Sequence, residues 1–161
     1  MPWGRDRDGD GSATVCLCGA SITVSSESIN ANTGVAKLIA VDRPAAHSAI
    51  EVIGEDIAGI TVFEGSNLSV AGIDFSIRAA GSRAVNVLGG ASLDGFAESY
   101  ALLYAPMTGV IYSFPGSVIG SIKSVQVKAY QSAAGSTETF DFEQTTVGTM
   151  SDVHMSFSGQ T

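Results

Sequence analysis

Short apolar alternations recur through the second half of this chain at a slowly lengthening interval. Ile60-Thr61-Val62 opens one unit, which continues through Leu68-Ser69-Val70 to Ile73-Asp74-Phe75. Val85-Asn86-Val87 opens a second, and Ile111-Tyr112-Ser113-Phe114 a third. Phe140-Asp141-Phe142 opens a fourth, which runs through Val147 and Met150 to Val153-His154-Met155. The openings fall at 60, 85, 111 and 140, intervals of 25, 26 and 29 residues. An isolated alternation has one apolar face and nothing to bury it on, and a copy at this spacing supplies the neighbour. The spacing therefore predicts a β-solenoid in which each unit packs on the next.

Composition narrows the function classes. Apolar residues make up 45% of the 161 and charged residues only 15%, so the chain has the means to bury a core and is not of disordered type. Eight basic residues face 16 acidic ones, a net charge of -8. The three lysines, Lys37, Lys123 and Lys128, stand apart. Phosphate neutralisation needs clustered Lys and Arg, so no nucleic-acid partner is expected. No run approaches the ~18 apolar residues of a membrane helix, and no apolar h-region follows Met1, so no signal peptide and no membrane partner are expected. The reading places synthesis and folding in a cytoplasm. Cys16 and Cys18 lie two apart, pointing both thiols to one face of a strand. A disulfide between them would be strained, and reduced, packed thiols are the expectation.

Along the chain, residues 1–12 are charged and glycine-rich, which reads as a flexible N-terminal arm. Short strands then follow at Ala13–Cys18, Ser21–Val24, Val35–Val41 and Ala49–Ile53, with turn signals every eight to twelve residues. One segment reads differently. Leu93, Phe96, Ala97, Tyr100, Leu103 and Tyr104 fall on one helical stripe, with Ser92 as N-cap and Pro106 as terminator, which predicts a short helix near 93–104. Strand patterns resume at Gly109–Phe114, Val118–Ile122, Ser124–Tyr130, Glu138–Thr146 and Asp152–Phe157. The loop at 131–136 fits an antiparallel hairpin as well as a solenoid turn. The fold class expected is mainly β, a β-solenoid-like or β-sandwich/barrel single domain over 13–161 with that one helix.

Candidate sites are sparse. Asp6-Arg7-Asp8-Gly9-Asp10-Gly11 is similar to the opening of an EF-hand calcium loop, whose alternate carboxylates converge on one hard cation. This makes Asp6, Asp8 and Asp10 the candidate metal ligands and calcium the candidate ion. The position of the family's bidentate Glu falls on Leu17, and a solvated acidic arm is the competing reading. Glu64, Asp74, Glu98, Asp141 and Glu143 could supply a pair of carboxylates for glycoside chemistry, against a reading as surface decoration. His47 and His154 stand beside no nucleophile, and His154 should face opposite to Val153 and Met155. No catalytic residue and no other cofactor is assigned.

Residues 60–75, with a Gly65-Ser66-Asn67 corner followed by two short apolar pairs, resemble a rung of the right-handed parallel β-helices of phage tailspikes and pectate-lyase-like proteins. That resemblance implies a fold and carries over no site residue. The whole chain, short, lysine-poor and rich in Ala, Gly, Ser and Val, is similar in composition to small structural proteins of tailed phages. It implies a non-enzymatic, self-associating virion component, a capsid decoration, tail or fibre protein, whose partners are itself and other particle proteins. The alternatives are a β-helical polysaccharide lyase or hydrolase and a calcium-dependent carbohydrate-binding module.

Overall fold

The computed structural model describes residues 12–16, 21–26, 28–31, 35–39, 48–131 and 139–159. The calcium-loop carboxylates Asp6, Asp8 and Asp10, most of the expected arm, Cys18 and His47 lie outside these residues.

The chain winds through three faces in a fixed order. β1 (Ser12–Cys16), β2 (Ser21–Val24) and β3 (Ile29–Ala31) make one circuit; β4 (Val35–Ile39), β5 (Ser48–Val52) and β6 (Ala58–Val62) the next; β7 (Asn67–Ala71), β8 (Ile73–Ile77) and β9 (Arg83–Val87) the third. Beyond that, the first two faces are spanned by single long strands. β10 (Ser92–Leu103) leads to β11 (Gly109–Ser113), β12 (Val118–Gln131) to β13 (Phe140–Phe142), and β14 (Thr146–Gly159) comes last. β10 pairs with β7 through its first half and with β8 through its second, which joins two faces into a nine-stranded sheet. β3, β6, β9, β11 and β13 form a five-stranded sheet on the third face. Every ladder is parallel. The protein is a parallel β-solenoid of about 4 turns.

The spaced alternations are the third face itself. Ile60 pairs with Val85, Val85 with Ile111, and Ile111 with Phe140, so the openings read from sequence stack directly on one another. The uneven interval has a structural cause. Asp94 is an extra residue in β10, where the register against β7 shifts between Leu93 and Gly95, and it turns 25 into 26. Gly120 and Gly148 carry this bulge down the stack. A Cβ on Gly120 would lie 2.4 Å from the Asp94 carbonyl oxygen, and one on Gly148 2.2 Å from that of Gly120, so only glycine fits. The longer third interval contains the segment 132–138 between β12 and β13.

Inside, like stacks on like. Leu68, Leu93, Ile119 and Val147 form one column, and Ile50, Phe75, Ala101, Val127 and Met155 another. Phe75 and Phe96 stack at 5.7 Å in the middle of the core and are fully buried. Several buried hydroxyls occur where the chain turns and satisfy carbonyls there. Ser82 Oγ donates to the Gly54 carbonyl at 2.6 Å, Thr108 Oγ1 to Ala105 at 2.7 Å, and Ser99 Oγ to Ala97 at 2.8 Å.

The corners are columns of left-handed residues. Gly65, Gly90 and Gly116 occupy the third position of turns closed by Ser66, Ala91 and Ser117 N–H bonds to Phe63, Leu88 and Phe114, with φ of 75°, 76° and 85°. The bond and the positive φ define type II turns, for which Pro115 at the second position is also suited. Where β7 meets β8 the corner column is Gly72, Glu98, Ser124 and Asp152, the last three at φ 49–55°.

Two expectations are corrected. Residues 93–104 form no helix, since β10 covers Ser92–Leu103. The inward residues Leu93 and Phe96 are three apart because the Asp94 bulge lies between them, which mimics helical spacing. Ala97, Tyr100 and Tyr104 sit on the outer side, half-buried. The hairpin reading of the C-terminal strands also fails. β12 pairs in parallel with β10 and β14, and β13 with β11, so β12 and β13 belong to different faces.

Candidate functional site

β14 is the last described circuit, and no further described strand lies over it. It pairs with β12 along one edge from Thr146 to Gly159, and its other edge has no strand partner among the described residues. The inward positions of β12 are sealed: Ile122 is fully buried, Val127 is 3% exposed and Ala129 1%. Their register partners one circuit on, Met150, Met155 and Phe157, are 46%, 52% and 56% exposed. These side chains occupy core columns that no further layer covers among the described residues. Among all 14 residues of β14 the ionisable side chains are Asp152 and His154. Long flat edges are commonly blunted with lysine or proline, and β14 has neither.

His154 lies on the outer surface in register with Gln126, its Nε2 3.0 Å from Asp152 Oδ1, and Val153 beside it turns toward the core. Hydrogen bonds from Ser124 and then from His154 hold the Asp152 carboxyl below its ordinary pKa. The pair is exposed and sits at the corner of the open end.

The five acidic candidates sort into three places. Asp74 and Glu98 share a shallow cavity of about 470 Å³ with Tyr100, Ser124 and Gln126, at the corner where Glu98 takes its positive φ. Asp141 and Glu143 flank Tyr112 on the third face. Partial burial, then Glu143 and Asp141, raise that tyrosine's pKa above its usual value. Glu64 is at a separate turn, against Gly90. Among the described residues no group of three or more His, Cys, Asp or Glu side chains is placed to hold a metal.

Two aromatic residues of the outer second face cover one another's rings. Tyr104 and Tyr130 stack at 5.0 Å with 4° between their planes. Arg78 lies 4.3 Å from the Tyr104 ring centre and Lys128 4.9 Å from that of Tyr130. The hydrogen bond to Tyr130 raises the Lys128 pKa. Glu51 pairs with Arg78 at the end of the row. Ring and cation stacking of this kind holds successive circuits together.

No family model matches the chain. No curated protein matches it in sequence, and no solved structure matches its fold.

The acidic candidates Asp74, Glu98, Asp141 and Glu143 are gathered by the solenoid in pairs. The β14 surface has no signature in the sequence, because Met150, Met155 and Phe157 have the same inward spacing as the buried residues before them. They are exposed because no further circuit covers them among the described residues. The repeated corner at Phe63-Glu64-Gly65-Ser66, Leu88-Gly89-Gly90-Ala91 and Phe114-Pro115-Gly116-Ser117 is a sequence signal that locates the rungs directly.

Proposed function

We propose that this chain is a non-enzymatic structural protein that self-associates. The observation that carries the reading is the exposure of Met150, Met155 and Phe157 in the core columns, beside a 14-residue edge with no strand partner among the described residues. Apolar surface left open in this way gains free energy when a partner covers it, and an unpaired edge templates further β pairing. The finer reading, a capsid decoration, tail or fibre protein of a tailed-phage virion, is supported by the chain's composition and by its β-helix-like rungs. Its partners are then copies of itself and other proteins of the particle. Sedimentation of native material on a density gradient tests this: the chain should travel with a larger particle. Recovery only as a free monomer at every concentration contradicts it.

One observation favours a second reading, action on polysaccharide. Asp74 and Glu98 open into the same cavity beside Tyr100 and Gln126. Loss of a polysaccharide-depolymerising activity in Asp74→Asn or Glu98→Gln, with unchanged melting, would establish it in place of the structural role.

A further inference from the structure

We infer that the open end of the solenoid is a two-fold interface, in which β14 of one copy pairs antiparallel with β14 of a second. The inference rests on the structural, self-associating reading and names the partner and its register.

β14 bends at Asp152, whose φ is 55°, so residues 146–151 lie on one face of the solenoid and 153–159 on the next. A two-fold axis perpendicular to the solenoid axis and passing through this corner exchanges those two halves. It also reverses strand direction. Two copies placed end to end about that axis therefore meet corner on corner with their last strands antiparallel. A parallel arrangement of two identical ends cannot be generated by such an axis.

The side chains of β14 fit one register of that pairing. Setting position 150 opposite position 155 of the second copy puts Met150 against Met155, Ser151 against His154 and Thr149 against Ser156. On either side of the corner inward residues then oppose inward ones and outward oppose outward, while at the corner itself Asp152 falls opposite Val153. A slip of one residue would put Met150 opposite His154 or Ser156 and break the match along both halves. Gly148, the extra residue of the bulge column, brings the next inward pair, Val147 and Phe157, into step. Each copy covers the exposed Met150, Met155 and Phe157 of the other, so two open cores become one closed core.

The chain carries a net charge of -8, and β14 carries little of it. On β14 the single carboxylate, Asp152, is matched by His154 at 3.0 Å.

The full chain, in sedimentation velocity across a wide concentration range, should show a monomer–dimer equilibrium that stops at two copies. Met155→Lys should weaken it at least ~tenfold by placing a charge in the covered patch. Met107→Lys, at an equally exposed methionine on another corner, should leave it unchanged. Directly opposed antiparallel positions bring Cβ atoms to about 5 Å, close to disulfide reach. The double variant Ser151→Cys/His154→Cys should therefore give a 151–154 cross-link between copies on mild oxidation. Growth past two copies would overturn the two-fold arrangement while leaving self-association standing. Undiminished association of Met155→Lys, or cross-links at other positions, would move the interface away from β14. A monomer at every concentration, as when another segment of the same chain covers the end, would overturn both this interface and the reading it rests on.

Discussion

Met155 lies directly after Val127 in one core column, yet Val127 is 3% exposed and Met155 52%. The two residues have the same inward placement, one circuit apart. What separates them is a neighbour, since Val127 has β14 over it and Met155 has no further strand over it among the described residues. In a solenoid each circuit is completed by the next, and the terminal circuit needs a cap or a partner.

The core should tolerate truncation poorly where it is deepest. Phe75 is fully buried and stacked on Phe96, so Phe75→Ala is expected to cost about 3–5 kcal/mol through lost burial and the cavity left behind. Urea unfolding followed by circular dichroism measures this. Phe96→Ala should cost a similar amount, and the double variant less than the sum, because both changes open one cavity.

How far this fold is legible in the sequence depends on which residues stack. The third-face openings Ile60, Val85, Ile111 and Phe140 are visible as a period because each is an inward residue of a short alternation. β10 imitates a helix for a local reason: the Asp94 bulge and the bend at Glu98 break strand parity twice within a dozen residues, and Leu93, Phe96 and Leu103 then take helical spacing. The pairing of Asp74 with Glu98 is not visible, because it depends on the 26-residue register between β8 and β10. The open end is invisible for a different reason, since exposure of β14 is set by the lack of a covering layer in space and not by its own pattern.

Corner conformation makes a paired prediction. Gly65 has φ 75° with open space where a Cβ would project, so Gly65→Ala isolates the backbone cost of the left-handed region, about 1–2 kcal/mol. Glu98 holds φ 49° with a side chain already present. Glu98→Gly relieves that cost while loosening the unfolded chain, so it should lie within about 1 kcal/mol of the parent. Thermal melts of the two variants should separate clearly, with only the first destabilised.

Asp152 predicts the sign of an acid effect. Its carboxyl pKa is lowered in the folded chain by Ser124 and His154. The stabilisation it gives is present above the unfolded value of about 3.9 and is lost as pH falls through the lower folded value. The site is exposed, so the effect should be small and should fade with added salt. Asp152→Asn, which keeps a side chain suited to positive φ, should be slightly less stable than the parent at neutral pH and indistinguishable from it in strong acid.

Tyr112 predicts the opposite end of the scale. Partial burial, then Glu143 and Asp141, raise its pKa. Its contribution to stability is present below the unfolded value of about 10 and is lost as pH rises through the folded one. Ultraviolet titration should place the Tyr112 phenol above its ordinary value, and Glu143→Gln should lower it.

Amide hydrogen exchange along β14 tests the central claim most directly, that this end of the solenoid is closed by association. At low concentration the β14 amides should exchange much faster than those of β12. At high concentration the β14 amides should become protected while the rest of the chain is unchanged. Exchange along β14 that is the same at both concentrations would contradict the claim.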